Sequence, residues 1–242
     1  MEILKVSGLA KSYDADNYAL WPTDLAVQDG KFVAIIGPSG AGKTTFLRCL
    51  NRLIDASEGT VWLNGRSTSS ISKRELRRHV AIVFQQPNLV LRLTVLENVL
   101  IGRLGHMDGI RSIFPFFSRR DKFKALGALE RVGLIDYAMT SCKNLSGGQQ
   151  QRVAIARALV QEARVLLADE PVASLDPENS NRIMKLLKDI NTNNGVTVLV
   201  NLHQIDLAKQ FADSLIAFRD GHVVYAGSTV NFNDEHYRSV FI

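Results

Sequence analysis

Cysteine is almost missing from the chain: 242 residues contain two, Cys49 and Cys142. That count, with no metal-ligand spacing between them, excludes a disulfide framework and a cysteine-based zinc site. Both are expected to be buried thiols. Long hydrophobic runs are also missing, and no stretch approaches the ~18 apolar residues of a membrane-spanning helix. The opening MEILKVSG lacks the basic, apolar and small-residue order of a secretion signal, so a soluble, intracellular chain is expected. With only six prolines and 17 glycines the sequence is neither collagenous nor of low complexity. What is abundant is ordinary core material, 46% hydrophobic against 22% charged, enough for one large domain or one core with an inserted subdomain. The net charge of +5 fits nucleic acid, phosphate ligands or an anionic membrane surface, and does not choose among them. The denser basic stretches, Lys73 to Arg78 and Arg119 to Lys124, read as solvated helix faces.

Short β-rich runs at 31–36, 79–84, 164–168, 196–202, 214–219 and 222–226 alternate with helical segments. Most are continuously apolar, as strands buried on both faces of a sheet must be, and the alternation predicts an α/β fold. Between Pro87 and Val160 the strand signal disappears. There Phe123, Leu126, Leu129 and Val132 recur at helical spacing, which predicts a helical insert within the α/β core. A further helix is punctuated by Asp176 as N-cap, Pro177 in the first turn and Gly195 at the end, with Ile183, Leu186, Leu187 and Ile190 on one face.

The first chemical motif follows the run 31–36 directly: Gly37, Pro38, Ser39, Gly40, Ala41, Gly42, Lys43, Thr44 and Thr45 fit GxxxxGK[ST], and an apolar helix is expected from Phe46 to Leu53. Glycines let successive N–H groups turn toward one anion, and the helix N-terminus adds partial positive charge. Lys43 can reach terminal phosphates, and the Thr44 hydroxyl can ligate Mg²⁺. A second motif, Leu166-Leu167-Ala168-Asp169-Glu170, ends an apolar strand in two carboxylates. Asp169 suits a Mg²⁺ shell, and Glu170 can orient and deprotonate a water attacking the γ-phosphate. A third, Leu145-Ser146-Gly147-Gly148-Gln149, precedes a helix whose inner face would carry Val153, Ala156 and Leu159, with Ser146 as N-cap. It is a second phosphate-ready helix N-terminus. Either the chain binds two nucleotides or two chains share each one, and the lack of a second GxxxxGK[ST] favours sharing.

Tyr13, the phosphate loop, Gln85, LSGGQ at 145–149, LLADE at 166–170, SLD at 174–176 and His203 together resemble the ordered motif set of ATP-binding cassette (ABC) ATPases, across nearly the whole chain. The resemblance implies an α/β P-loop NTPase (RecA-like) core with an antiparallel β subdomain and an inserted α-helical subdomain. The core would be 1–86 and 161–242, and the helical subdomain 87–160. It also implies ATP and Mg²⁺ as cofactors. Tyr13 would stack on adenine with Ala19 nearby, and Gln85 would contact Mg²⁺ and the attacking water. His203 would hold the γ-phosphate near Glu170. Ser146, Gly147, Gly148 and Gln149 would act on the ATP of the opposite protomer of a homodimer, with Asp176 as a dimer contact. His79, His106, His222 and His236 are left as structural or solvent-exposed.

A single cassette resembles the separate ATPase subunit of a bacterial importer. Its implied partners are integral-membrane permease subunits and a periplasmic or lipid-anchored binding protein, its place is the cytoplasmic face of the inner membrane, and no nucleic acid is expected. Within that family NLVLRLTVLEN at 88–98, IGRLG at 101–105, RSIFPFFSRRD at 111–121 and VNLHQ at 200–204 resemble the phosphonate-importer subunits, with phosphonate, phosphite and phosphate esters left open. Leu202 and Gln204 stand where most cassettes have Thr and an acid beside the histidine, so the orientation of His203 must come from elsewhere. Ile113, Phe114, Phe116 and Phe117 are either packing within the insert or an apolar docking surface for a permease. A polar amino-acid importer and a cassette acting on DNA or the ribosome are the competing readings. A GTPase lacks support because no NKxD motif occurs, and a small-molecule kinase leaves LSGGQ and His203 unexplained.

Overall fold

The computed structural model describes residues 1–14, 17–107 and 117–242. In chain order its elements begin with β1 (Glu2–Asp14), β2 (Asn17–Gln28), β3 (Phe32–Ile36), α1 (Lys43–Leu50), β4 (Glu58–Leu63), β5 (Arg66–Ser67), α2 (Lys73–His79) and β6 (Val80–Val83). Then come α3 (Val95–Ile101), α4 (Arg119–Arg131), α5 (Gly147–Leu159), β7 (Val165–Asp169), α6 (Pro177–Asn194), β8 (Thr197–Asn201), α7 (Ile205–Phe211), β9 (Ser214–Arg219), β10 (His222–Ser228) and α8 (Asp234–Phe241).

All six runs read as strands from the sequence lie in one six-stranded sheet of order β10-β9-β3-β8-β7-β6. It is parallel from β9 to β6, with β10 antiparallel at its edge. Successive side chains of its inner strands enter two different cores. Val33, Ile35, Leu167, Leu199 and Phe218 pack with Phe46 and Leu47 of α1 and with Leu9 and Leu20 of a second sheet. Ala34, Ile36, Ala168, Val200 and Ala217 pack with Val153 of α5 and Ile183 and Leu187 of α6. Burial on both faces is why these strands are unbroken apolar runs. The second sheet, antiparallel in the order β2-β1-β4-β5, has one face in solvent and reads as alternation, with Lys5, Ser7 and Trp62 among the apolar positions. Its strands carry no continuous apolar signal, and only the family resemblance anticipated the sheet.

Helix α6 begins and ends where its punctuation predicts. The Asp176 carboxylate accepts from the Asn179 N–H at 3.0 Å, and Gly195 closes the helix in the left-handed region at φ 65°. Met184 lies deeper than Leu186 on its buried face. Three other expectations need correction. Helix α1 stops at Leu50, short of Leu53, because Arg52 turns into the left-handed region and its guanidinium binds the carbonyls of Thr68 and Ile71. Phe123 is 75% exposed, since α4 buries Ala125, Ala128 and Leu129. Phe123 sits six residues from Leu129, about 240° round the axis at ~100° per residue. Helix α5 buries Gln151, Ala154, Ile155 and Ala158 besides Val153 and Ala156, while Leu159 is half-buried, because the helix is packed on several sides. Ile113, Phe114 and Phe116 lie outside the described residues; Phe117 packs partly buried against the larger core.

Charged groups clamp the far end of the helical stretch. Nearly buried Arg103 pairs with Asp121 and Glu162, both at 2.9 Å, and donates to the Val160 carbonyl, tying the start of α4 to the end of α5. Burial pushes the Asp121 carboxyl up, but the Ser118 hydroxyl and Arg103 outweigh it and hold the group below the usual carboxylate range.

Both cysteines are free and buried. Burial pushes the Cys49 thiol up to about 11, and raises Cys142 as well. At pH 8 both stay protonated and shielded. Ellman's reagent is expected to label neither in the native protein within minutes and both in guanidinium; fast native labelling would mean that one of the cores opens.

Candidate nucleotide and metal site

The phosphate loop, Asp169, Glu170 and His203 meet because of strand order. Strand β3 runs between β9 and β8, with β7 beyond β8, so the loops after β3, β7 and β8 emerge side by side at the carboxyl ends of parallel strands. That is where open α/β sheets bind ligands. The loop itself is forced by close approaches. A Cβ on Gly42 (φ 96°) would lie 2.5 Å from the Ala19 carbonyl oxygen, and one on Gly37 (φ 143°) only 2.2 Å from that of Phe218. The turn between β9 and β10 braces it from outside, the Gly221 N–H donating to the Ala41 carbonyl. The resulting cavity of about 180 Å³ is lined by Ala19, Ser39 to Thr45 and Glu170. It is smaller than the roughly 300–1,000 Å³ that encloses a whole drug-sized ligand, so it suits terminal phosphates and leaves the rest of a nucleotide on the surface.

Lys43 is buried in this cradle, its ammonium donating to the carbonyls of Gly37 and Pro38 at 2.7 Å each. Burial lowers its pKa, while Glu170 and Asp169 oppose that shift by favouring the charged form. The Thr44 hydroxyl donates to Oδ1 of Asp169 at 2.8 Å, and Arg48 stands 3.7 Å from the other carboxylate oxygen. Glu170, turned by a left-handed φ of 50°, meets Nε2 of His203 at 2.7 Å. Glu170 is thus what orients His203 in place of the acid that Gln204 lacks.

No group of three or more His, Cys, Asp and Glu side chains forms a metal cage among the described residues. A hydroxyl and a carboxylate in contact fit Mg²⁺, which is held by one or two protein oxygens with phosphate and water completing the shell. Thr44 and Asp169 would hold it.

The remaining sequence candidates are not brought to the cavity within one protomer. Tyr13, on β1, is 60% exposed with the Lys11 ammonium 5.2 Å from its ring centroid. Gln85 is exposed just beyond β6, the strand beside β7. Ser146 caps α5, its hydroxyl accepting from the Gln149 N–H while the Gln149 side chain accepts from the Ser146 N–H. A Cβ on Gly148 would lie 3.3 Å from Asn179, the partner of Asp176. None of these lines the cavity.

Several polar residues escaped the sequence reading. Gln151 and Arg157 of α5 donate to the carbonyls of Phe84, and of Pro87 and Asn88, so α5 holds both sides of Gln85. Asn98, fully buried on α3, takes both backbone groups of Val90 and reaches the Cys142 sulfur. The usable signal was a polar residue recurring on a buried helix face. The other residues called structural or exposed are so: His106 bonds the Gln161 carbonyl, His222 stacks on Trp21, His236 stacks on Phe232, and His79 is exposed.

Comparison with known proteins agrees with this arrangement. The ABC transporter family model matches residues 20–173. The phosphonates import ATP-binding protein PhnC 2 of Oceanobacillus iheyensis is 45% identical, over all of this chain and 96% of its own length. The phosphonates import ATP-binding protein PhnC of Escherichia coli K12 is 48% identical, over 99% of this chain and 94% of its own. The dimeric ATP-binding cassette MJ0796, in a post-hydrolysis state bound to ADP and Pi, superposes with a TM-score of 0.81 at 36% identity, over 93% of this chain and 98% of its own. The sequence match, the P-loop α/β fold and the phosphate cradle agree, and the chain belongs to the ABC transporter family as an ATPase domain.

Proposed function

We propose that this chain is the ATP-hydrolysing subunit of a bacterial importer that takes up phosphonate or a related phosphorus compound. The observation that carries the ATPase reading is the cradle of Gly37 to Thr45 joined at one sheet end to the Thr44–Asp169 contact and the Glu170–His203 pair. The cargo rests on near full-length similarity to phosphonate import ATP-binding proteins.

In this reading the loop N–H groups and Lys43 bind the terminal phosphates. Bound Mg²⁺ supplies charge neutralisation of the phosphate oxygens. Glu170 takes the proton of the attacking water, while His203 fixes the Glu170 carboxylate and reaches the γ-phosphate. Gln85 faces water and metal from the neighbouring strand end, and Tyr13 with Ala19 receives the adenine. Ser146 to Gln149 of the second protomer close on the exposed side of the nucleotide, with Asp176 at the same interface. The small cavity of a single protomer and the position of LSGGQ outside it support sharing. Residues 87–160 form the helical subdomain, and the core is 1–86 and 161–242. The chain works at the cytoplasmic face of the membrane on permease subunits fed by a binding protein. No described helix is long and apolar enough to cross the membrane itself.

Deleting the gene in a host without a redundant importer tests the cargo. Growth is expected to fail on a phosphonate or phosphite as sole phosphorus source and to persist on phosphate, with rescue by the wild-type gene and not by Glu170→Gln. Unchanged growth on all three would overturn the phosphorus-compound assignment and leave the ATPase standing.

A further inference from the structure

Strand β8 is buried along its whole length and ends in an amide, Asn201, that is 0% exposed. A buried amide left without partners is strongly destabilising, so its neighbours define what it does. In the ladder Asn201 stands opposite Asp169. Its Nδ2 donates to Oδ1 of Asp169 at 3.0 Å and to Oγ1 of Thr44 at 3.4 Å. The orientation is fixed by chemistry: an ionised carboxylate only accepts, so the NH₂ group must face Asp169. Oδ1 of Asn201 is thereby turned away, buried, with no protein donor.

Two donors, Thr44 and Asn201, therefore converge on one oxygen of Asp169. Supporting hydrogen bonds around a metal's ligands tune its affinity by about 10–100-fold.

We propose that Asn201 is a positioning residue of the divalent-cation site, holding Asp169 for the cation through its NH₂ group. This rests on the reading of Thr44 and Asp169 as metal ligands, and the test separates the two ideas. The full chain is loaded with ATP at low temperature. Mn²⁺ affinity is read from the electron-paramagnetic signal of the free ion, and ATP affinity without metal is measured by calorimetry in EDTA. In Asn201→Val, which suits a buried strand, Mn²⁺ affinity of the ATP complex is expected to fall about tenfold with metal-free ATP affinity unchanged. Asn201→Thr, which keeps a hydroxyl, is expected to fall less, and it decides the matter if the Val variant does not melt cooperatively. Mn²⁺ affinity within twofold of wild type in the variant that folds would overturn the role of Asn201. An equal loss of metal-free ATP affinity would also overturn it, by pointing to a disturbed strand. Asp169→Asn serves as the control: if it too leaves Mn²⁺ affinity unchanged, the metal-site reading itself is wrong.

Discussion

Glu170→Gln is expected to lower steady-state ATP turnover by about 10²–10⁴-fold, the usual contribution of a positioned general base, while ATP affinity stays within a few-fold of wild type. The reason is local. The amide occupies the same space after β7 and can still bond Nε2 of His203, now 2.7 Å from Oε1 of Glu170, but it cannot accept a proton from water. Lys43, the loop N–H groups and the Thr44–Asp169 pair are untouched. If two protomers share each nucleotide, ATP that binds without turning over holds the pair closed. Gel filtration with light scattering in MgATP is expected to give a dimer for the variant and a monomer without nucleotide. Turnover within tenfold of wild type would move the base elsewhere. A monomer at micromolar protein would mean that closure needs the membrane subunits, or that the site is not shared.

Gly37→Ala is expected to abolish measurable ATP binding and to lower the melting temperature by about 6–12 °C, from a strain of about 3 kcal/mol at ~2–4 °C per kcal/mol for a chain of this size. A φ of 143° is open to glycine alone, and the added methyl would sit 2.2 Å from the backbone oxygen of Phe218, an inner strand that cannot move aside cheaply. Gly147→Ala is the informative comparison. That glycine is the first residue of α5, a Cβ there meets nothing within 4 Å, and alanine favours a helix. Its melting temperature is expected to hold or rise slightly, and ATP affinity of the single protomer to stay unchanged. A loss of turnover confined to Gly147→Ala would then locate its effect between protomers. Normal ATP binding by Gly37→Ala would show that the loop relaxes and that the cradle depends less on this turn than its geometry implies.

The glycine-rich loop, the acids at the end of β7 and the inner strands of the six-stranded sheet were legible because their signals are contiguous. A glycine pattern specifies a local turn, and a strand buried on both faces is an unbroken apolar run. The antiparallel sheet was not legible from periodicity, since β1 and β4 keep one face in water. The phase of α4 was misread because Phe123 was counted as core by type, whereas Ala125 and Ala128 are what α4 buries. Arg157 and Gln151 carry no local signal of their role, because it lies in donors that grip backbone carbonyls on both sides of Gln85, more than 60 positions away.

By itself the sequence determined the local features: a glycine-rich turn from Gly37 to Thr45, a carboxylate pair at Asp169 and Glu170, and capped helices at Ser146 and Asp176. Those features depend on residues within a few positions of one another. Only the tertiary structure decided that His203 is oriented by Glu170 and that Asn201 and Thr44 share one oxygen of Asp169. These residues are 32 to 157 positions apart, brought together by the order β3-β8-β7. Strand order is set by which faces bury against which helices across the whole chain, and no local spacing encodes it.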